Sequence, residues 1–325
     1  MRVLIQNDPD DPVFRITPEQ WHEAAAGAPA HEVSFGSTAE DFAGIRDTVE
    51  LLVGPVAALR RLARTGRLAA PRLRLVFVTA AGVDRLAPFD WLPDRVPLLN
   101  NRGAHGSKAG EYVAMAALLL AARLPALLAA QREGRWLRLP TPALAGRHAV
   151  VIGTGDLGSA GAGRLRAFDV RVTGVNTRGT PHAACDATAP VAALNTLLPE
   201  ADLVVLACPL TQHTRGMLDR RRLGLLRSAS GVVNIGRGAL LDHEALCDLL
   251  DAERLAGAVL DVFPVEPLPP EHRIWRTRNL IATPHQSCDD PTTYNRRSLG
   301  ILFANLLAWQ TGAALPNQVD LTRGY

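Results

Sequence analysis

A chain of 325 residues with 47% hydrophobic content is long enough for two domains, each with its own core. The formal net charge is only +3, and Lys108 is the single lysine, so the positive charge is scattered arginine. Short clusters such as Arg220-Arg221-Arg222 read as solvated helix faces rather than a nucleic-acid footprint, and the expectation is no nucleic-acid partner.

In chain order, the N-terminus runs as an apolar strand, Arg2–Ile5, into a polar turn. It lacks the apolar core and small-residue cleavage site of a signal peptide. Further strands are predicted at Val49–Val53 and Leu73–Val78, with helices around Pro18–Ala26 and Val56–Thr65. Such β/α alternation predicts a parallel sheet. The segment Thr79-Ala80-Ala81-Gly82-Val83-Asp84 could present backbone N–H groups to an anion, or be a plain strand-to-helix turn. Residues 104–130 are expected to form one long helical region, too interrupted by Arg123 and Pro125 to span a membrane. A second series follows, with strands at Ala149–Ile152, Val170–Val175, Leu203–Ala207, Gly231–Ile235, Ala256–Leu260 and Leu280–Ala282, and helices over residues 156–168 and 290–308. Cys185, Cys208, Cys247 and Cys288 show no metal-ligand spacing and no secreted-fold framework. No metal is expected, and the cytoplasm is the expected compartment.

Gly153-Thr154-Gly155-Asp156-Leu157-Gly158 is a G-x-G-x-x-G between an apolar strand and a helix, the context that makes this pattern a dinucleotide signature. The glycines allow a tight turn and close backbone approach, and the helix N-terminus favours pyrophosphate charge. An NAD site would place Asp or Glu at the end of the next strand. Here Asn176 takes that position, followed by Thr177 and Arg178. A neutral side chain removes repulsion toward a 2′-phosphate and the guanidinium can pair with it, so NADP(H) is favoured and NAD(H) stays possible.

Three ionisable residues each follow a strand-like run and a Gly or Pro break. They are Arg237 in Asn234-Ile235-Gly236-Arg237-Gly238, Glu266 in Asp261-Val262-Phe263-Pro264-Val265-Glu266-Pro267, and His285 in Thr283-Pro284-His285. Polar side chains at the carboxyl ends of strands in an open α/β sheet point to where ligands bind. A cation, a proton carrier and a carboxylate are the parts needed to reduce a carbonyl beside a carboxylate.

The order of these motifs, joined by Gly110-Glu111-Tyr112 and Ala207-Cys208-Pro209-Leu210-Thr211, resembles the D-isomer-specific 2-hydroxyacid dehydrogenase family over roughly residues 75–290. The family includes glyoxylate/hydroxypyruvate reductases, phosphoglycerate dehydrogenases and D-lactate dehydrogenases. The resemblance implies that Arg237 binds the substrate carboxylate, that His285 is the acid/base, and that Glu266 orients it. It also implies carboxylate binding by the backbone of Ala81, Gly82 and Val83, an adenine pocket bordered by Cys208 and Pro209, and a nicotinamide carboxamide met by Asp261 with Ile235 nearby. Cys288 stands where the family often has Gly, which bears on substrate size. Trp275 and Tyr294 are candidate pocket walls, with core packing the expected role of Trp275.

The expected architecture is α/β, with two Rossmann-like doubly wound parallel-sheet domains flanking a cleft. Residues 1–102 and 287–325 would form a discontinuous substrate domain, and residues 103–286 the dinucleotide domain. The expected activity is hydride transfer between NAD(P)H and a small 2-oxo or D-2-hydroxy acid, in a homodimer joined through the long helical region. The alternatives are a phosphite-type dehydrogenase on the same scaffold and a nucleotide-sensing, corepressor-like binding protein.

Overall fold

The computed structural model describes residues 1–64, 66 and 68–325. By internal contacts the chain divides into Met1–His105 with Asp290–Tyr325, and Gly106–Asp289. The strands of the first unit are β1 (Arg2–Gln6), β2 (Glu32–Gly36), β3 (Leu51–Gly54), β4 (Leu75–Val78) and β5 (Leu98–Leu99). Those of the second are β6 (His148–Ile152), β7 (Arg171–Asn176), β8 (Ala187–Pro190), β9 (Leu203–Leu206), β10 (Gly231–Asn234), β11 (Gly257–Leu260) and β12 (Leu280–Ala282). The helices are α1 (Pro18–Ala24), α2 (Ala39–Ile45), α3 (Val56–Ala63), α4 (Gly106–Ala121), α5 (Leu124–Arg132), α6 (Asp156–Arg166), α7 (Leu194–Leu197), α8 (Arg220–Leu223), α9 (His243–Asp251) and α10 (Tyr294–Thr311). Thr65, the expected end of the helix that begins at Val56, lies outside the described residues.

The first unit is a five-stranded sheet in the order β2-β1-β3-β4-β5, parallel throughout. Its central strands are continuous apolar runs, as a sheet covered on both faces requires. One face packs on Phe42, Leu59 and Leu62 from α2 and α3, the other on Trp21 from α1 and Leu299, Leu302 and Leu306 from α10. Strand β2 and helix α2 are absent from the sequence-based assignment.

The second unit is a seven-stranded parallel sheet in the order β12-β11-β10-β9-β6-β7-β8. Alternate residues of its strands serve opposite faces. Val150, Ile152, Val204 and Leu206 pack with Leu194, Leu223 and Leu246, while Ala149, Val151 and Val205 pack with Val113, Ala116 and Leu165. The strand order reverses between β6 and β9, the point at which ligands bind in sheets of this kind.

The expected single helix over 104–130 is two helices, α4 and α5, meeting at 64°. Arg123 adopts a left-handed backbone (φ 51°) and Pro125 occupies the second position of α5. Proline has no N–H to continue the ladder, and its ring would strike the carbonyl of Ala121. No single helix among the described residues is long and apolar enough to cross a membrane, although this bent pair together has the length and composition. Trp275 is half exposed, its indole N–H donating to Pro269 O, so it is not the core residue expected.

Candidate active site

The glycine turn follows β6 at the reversal point. Gly153 has φ +99°, and a Cβ there would lie 2.7 Å from Ala207 O and Cys208 N. Gly158 is tighter still, since its Cβ would sit 1.8 Å from Gly153 O. Gly155 caps α6 and is open, with nothing within 4 Å of a Cβ built on it. No side chain caps that end, so the first-turn N–H groups of α6 face an open approach. These residues fit a dinucleotide pyrophosphate.

Asn176 ends β7, beside the turn. Its Nδ2 donates to Thr154 Oγ1 (3.2 Å) and Thr180 O (2.8 Å), and its Oδ1 accepts from Thr180 N at 2.9 Å. Its amide therefore shapes the turn that carries Thr177 and Arg178, both exposed. Beyond β9, Cys208 is buried, which pushes its thiol up to about 12, while Pro209 is exposed.

Arg237 is carried on the loop after β10. Asn234, fully buried, donates from Nδ2 to Arg237 O (2.9 Å) and accepts from Gly236 N (3.0 Å), which fixes the turn. Ile235 is buried beneath it. The Arg237 guanidinium turns back to donate to Gly236 O at 2.8 Å. A Cβ on Gly238 would lie 2.1 Å from the carbonyl carbon of Phe263, so the Arg237 loop lies directly on the loop that carries Glu266.

Glu266 accepts from Phe263 N at 2.9 Å through Oε1, and its Oε2 lies 2.8 Å from His285 Nδ1. A carboxylate can only accept, so Nδ1 carries the proton and Nε2 is left to face a reactant. The imidazole is 40% exposed, against 15% for the Glu266 side chain. His285 has φ +54°, a conformation that costs a non-glycine residue on the order of 1–3 kcal/mol and persists only where its surroundings enforce it.

Asp261 enforces it. Fully buried at the end of β11, it accepts from Gln286 N (2.9 Å) and Thr283 Oγ1 (2.6 Å) at Oδ1, and from Ser287 N (2.8 Å) at Oδ2. Its carbonyl accepts from His285 N at 2.8 Å. The Asp261 carboxylate is thus committed to the histidine loop. Thr283 in turn lies 2.5 Å from the hydroxyl of Tyr112 in α4. Cys288, partly buried beside this loop, has its thiol pushed up to about 12 by loss of solvent.

In the first unit, three consecutive carbonyls after β4 are held from behind. Thr79 O accepts from the Tyr294 hydroxyl, Ala80 O from Asn101 N (3.0 Å) and Ala81 O from Asn100 Nδ2 (3.0 Å). Among the described residues, nothing accepts from the N–H groups of Ala81, Gly82 and Val83. Consecutive unpaired N–H groups of this kind make an anion-binding concavity.

The sequence alone assigns no role to Asn234, Thr283, Tyr112 or Asn100. Asn234, between an apolar strand and a Gly, carried a readable signal. The partners of the others lie far away in the chain.

Residues 114–287 match the family described as D-isomer specific 2-hydroxyacid dehydrogenase, NAD binding domain. A glyoxylate reductase of Thermococcus gammatolerans is 32% identical over 261 residues, 77% of each protein. The fold matches a D-isomer specific 2-hydroxyacid dehydrogenase of Xanthobacter autotrophicus solved with NADPH and MES, at a TM-score of 0.83 and 29% identity over 100% of this chain and 99% of that one. It also matches an NADPH-dependent glyoxylate/hydroxypyruvate reductase of Sinorhizobium meliloti solved with NADP and sulfate, at a TM-score of 0.80 and 28% identity over 100% and 99%.

Proposed function

The chain belongs to the D-isomer specific 2-hydroxyacid dehydrogenase family of NAD(P)-dependent oxidoreductases, and from that premise we propose that it reduces a small 2-oxo acid to the D-2-hydroxy acid, with NADP(H) preferred. The observation that carries this reading is the Glu266–His285 contact, with the Arg237 loop packed backbone-to-backbone on the same turn.

The turn 153–158 and the N-terminus of α6 would hold the pyrophosphate, with Asn176, Thr177 and Arg178 at the adenosine ribose and Cys208, Pro209 and Ile235 along the dinucleotide. The bound cofactor supplies the hydride. Arg237 binds the substrate carboxylate bidentately and polarises the carbonyl next to it. As the carbonyl carbon is reduced, its oxygen takes the proton from His285 Nε2. Glu266 keeps the ring oriented through Nδ1, and the exposed imidazole regains its proton from water. Asp261 anchors the histidine loop and would also meet the nicotinamide carboxamide. The N–H groups of Ala81, Gly82 and Val83 would take the substrate's carboxylate oxygens.

The unit Met1–His105 with Asp290–Tyr325 is then the substrate domain, and Gly106–Asp289 the dinucleotide domain. A homodimer is proposed through α4 and α5, where Met115, Leu118 and Leu128 are exposed and Trp136 beyond them is 96% exposed. Four free cysteines suit a reducing compartment, and cytoplasm is proposed.

The test is oxidation of NADPH and NADH with glyoxylate, hydroxypyruvate, pyruvate and bulkier 2-oxo acids, alongside phosphite with the oxidised cofactors. Turnover of a 2-oxo acid supports the reading. Turnover of phosphite alone, or tight cofactor binding with no turnover, overturns it.

A further inference from the structure

We propose that Tyr112 and Thr283 are positioning residues for His285, an inference that rests on the acid/base role given to that histidine. Asp261 binds the loop 283–287 at four points, Thr283, Gln286 and Ser287 through its carboxylate and the left-handed His285 through its carbonyl. The hydroxyl of Thr283 has one proton, and the carboxylate at 2.6 Å can only accept it. The 2.5 Å contact with Tyr112 is therefore the phenol donating to Thr283 Oγ1. The hydrogen bonds run in one direction, from Tyr112 through Thr283 to Asp261. Burial pushes the Tyr112 phenol up to about 12, which keeps it a donor across the working range.

Tyr112 is a rigid point from which to hold this loop. Helix α4 lies against α6 through glycines. A Cβ on Gly110 would be 3.1 Å from Ala160 O, and one on Gly161 would be 3.0 Å from Val113. The helix whose N-terminus faces the pyrophosphate thus packs on the helix that supplies the donor to the histidine loop. The backbone of residue 285 sits where its own preference would not put it, so losing the donor lets the imidazole drift from Glu266. Glu266, tied to Phe263 N, cannot follow.

Three variants test this. Tyr112→Phe removes only the phenol oxygen, Thr283→Val removes the relay hydroxyl at constant shape, and Thr283→Ser restores it. For Tyr112→Phe and Thr283→Val, kcat should fall about ten-fold, since misplacement of a reacting group by less than 1 Å is enough for that. KM for the 2-oxo acid, cofactor affinity and the melting temperature should stay near wild type, the solvent deuterium isotope effect on kcat should rise, and Thr283→Ser should recover kcat. The second readout needs no substrate. The low-field proton resonance of His285 Nδ1–H, assigned by its loss in His285→Gln, should move upfield in Tyr112→Phe. An unmoved resonance with unchanged kcat overturns the proposal, as does a parallel fall of kcat, cofactor affinity and melting temperature that Thr283→Ser fails to rescue. If wild type reduces no 2-oxo acid, the functional reading fails alone, and the resonance still decides whether Tyr112 holds the ring.

Discussion

A Cβ on Gly238 would stand 2.1 Å from the carbonyl carbon of Phe263, closer than any side chain can approach. The two residues flank Arg237 and Glu266, so this backbone contact sets the spacing of a cation and a carboxylate that belong to different loops. Gly238→Ala should force the loops apart. The expected result is a loss of about 2 kcal/mol in stability, the usual cost of overpacking, together with a rise in KM for the 2-oxo acid. Urea unfolding and steady-state kinetics check it, and a variant with native stability and native KM would contradict the close contact.

Gly155 is the converse case. It has φ −74° and open space where a Cβ would go, so alanine fits the fold. The methyl group would stand in the approach to the N-terminus of α6. Gly155→Ala is expected to keep its melting temperature and lose cofactor affinity ten-fold or more. A fluorescence titration with NADPH measures the second, and unchanged affinity would mean that the pyrophosphate lies elsewhere.

His285→Ala should lower kcat by about 10² to 10⁴, the range for a positioned acid–base group, with NADPH affinity nearly intact. Glu266→Gln keeps a hydrogen-bonding side chain of the same shape and removes the charge beside the ring, so a smaller loss is expected. Equal loss of turnover and cofactor affinity in His285→Ala would indicate a displaced loop rather than a missing proton donor.

Arg178 is exposed on the turn that the Asn176 amide builds. Arg178→Ala should weaken NADPH by ten-fold or more, as loss of a charge-assisted pair does, and leave NADH almost unchanged. Unaltered selectivity would remove the basis for preferring the phosphorylated cofactor.

What could be read from the sequence followed the strength of the local signal. The central strands β6, β9, β10 and β11 are short apolar runs bounded by Gly, Pro or polar turns, and the Gly153–Gly158 turn sits between a strand and a helix, so the sequence shows them. Strand β2 has no fully buried residue, and β8 reads Ala-Thr-Ala-Pro. The edge strand β8 is made by hydrogen bonds to β7 rather than by an apolar pattern of its own, and β2 offers only Val33 and Phe35, alternating with polar residues. The sequence reading assigns no helix at α9, although Asp242 caps it and accepts from Ala245 N. The residues of the trio were visible because Gly and Pro frame them. What holds them was not, because Asp261 reaches Ser287 across 26 positions and Tyr112 reaches Thr283 across 171. A left-handed histidine between Pro284 and Gln286 carries no local mark.

The pH dependence of stability should be governed in part by His243, which opens α9 and is 7% exposed. Burial, with His272 nearby as the next contribution, lowers it to about 4 from its ordinary 6.5. The unfolded chain therefore takes up a proton at this residue as pH falls through 6.5, while the folded chain does not until about pH 4. Between those values the unfolded state binds more protons, so stability is complete above pH 6.5 and declines as pH falls toward 4. The full decline from this group is about 3 kcal/mol, since a tenfold change in proton affinity is worth about 1.4 kcal/mol. His243→Leu removes the titration and also a buried Nε2 that has no hydrogen-bond partner among the described residues. Urea midpoints measured from pH 7 to pH 4.5 should therefore slope less steeply in the variant than in wild type. Parallel slopes would assign the acid sensitivity to other groups.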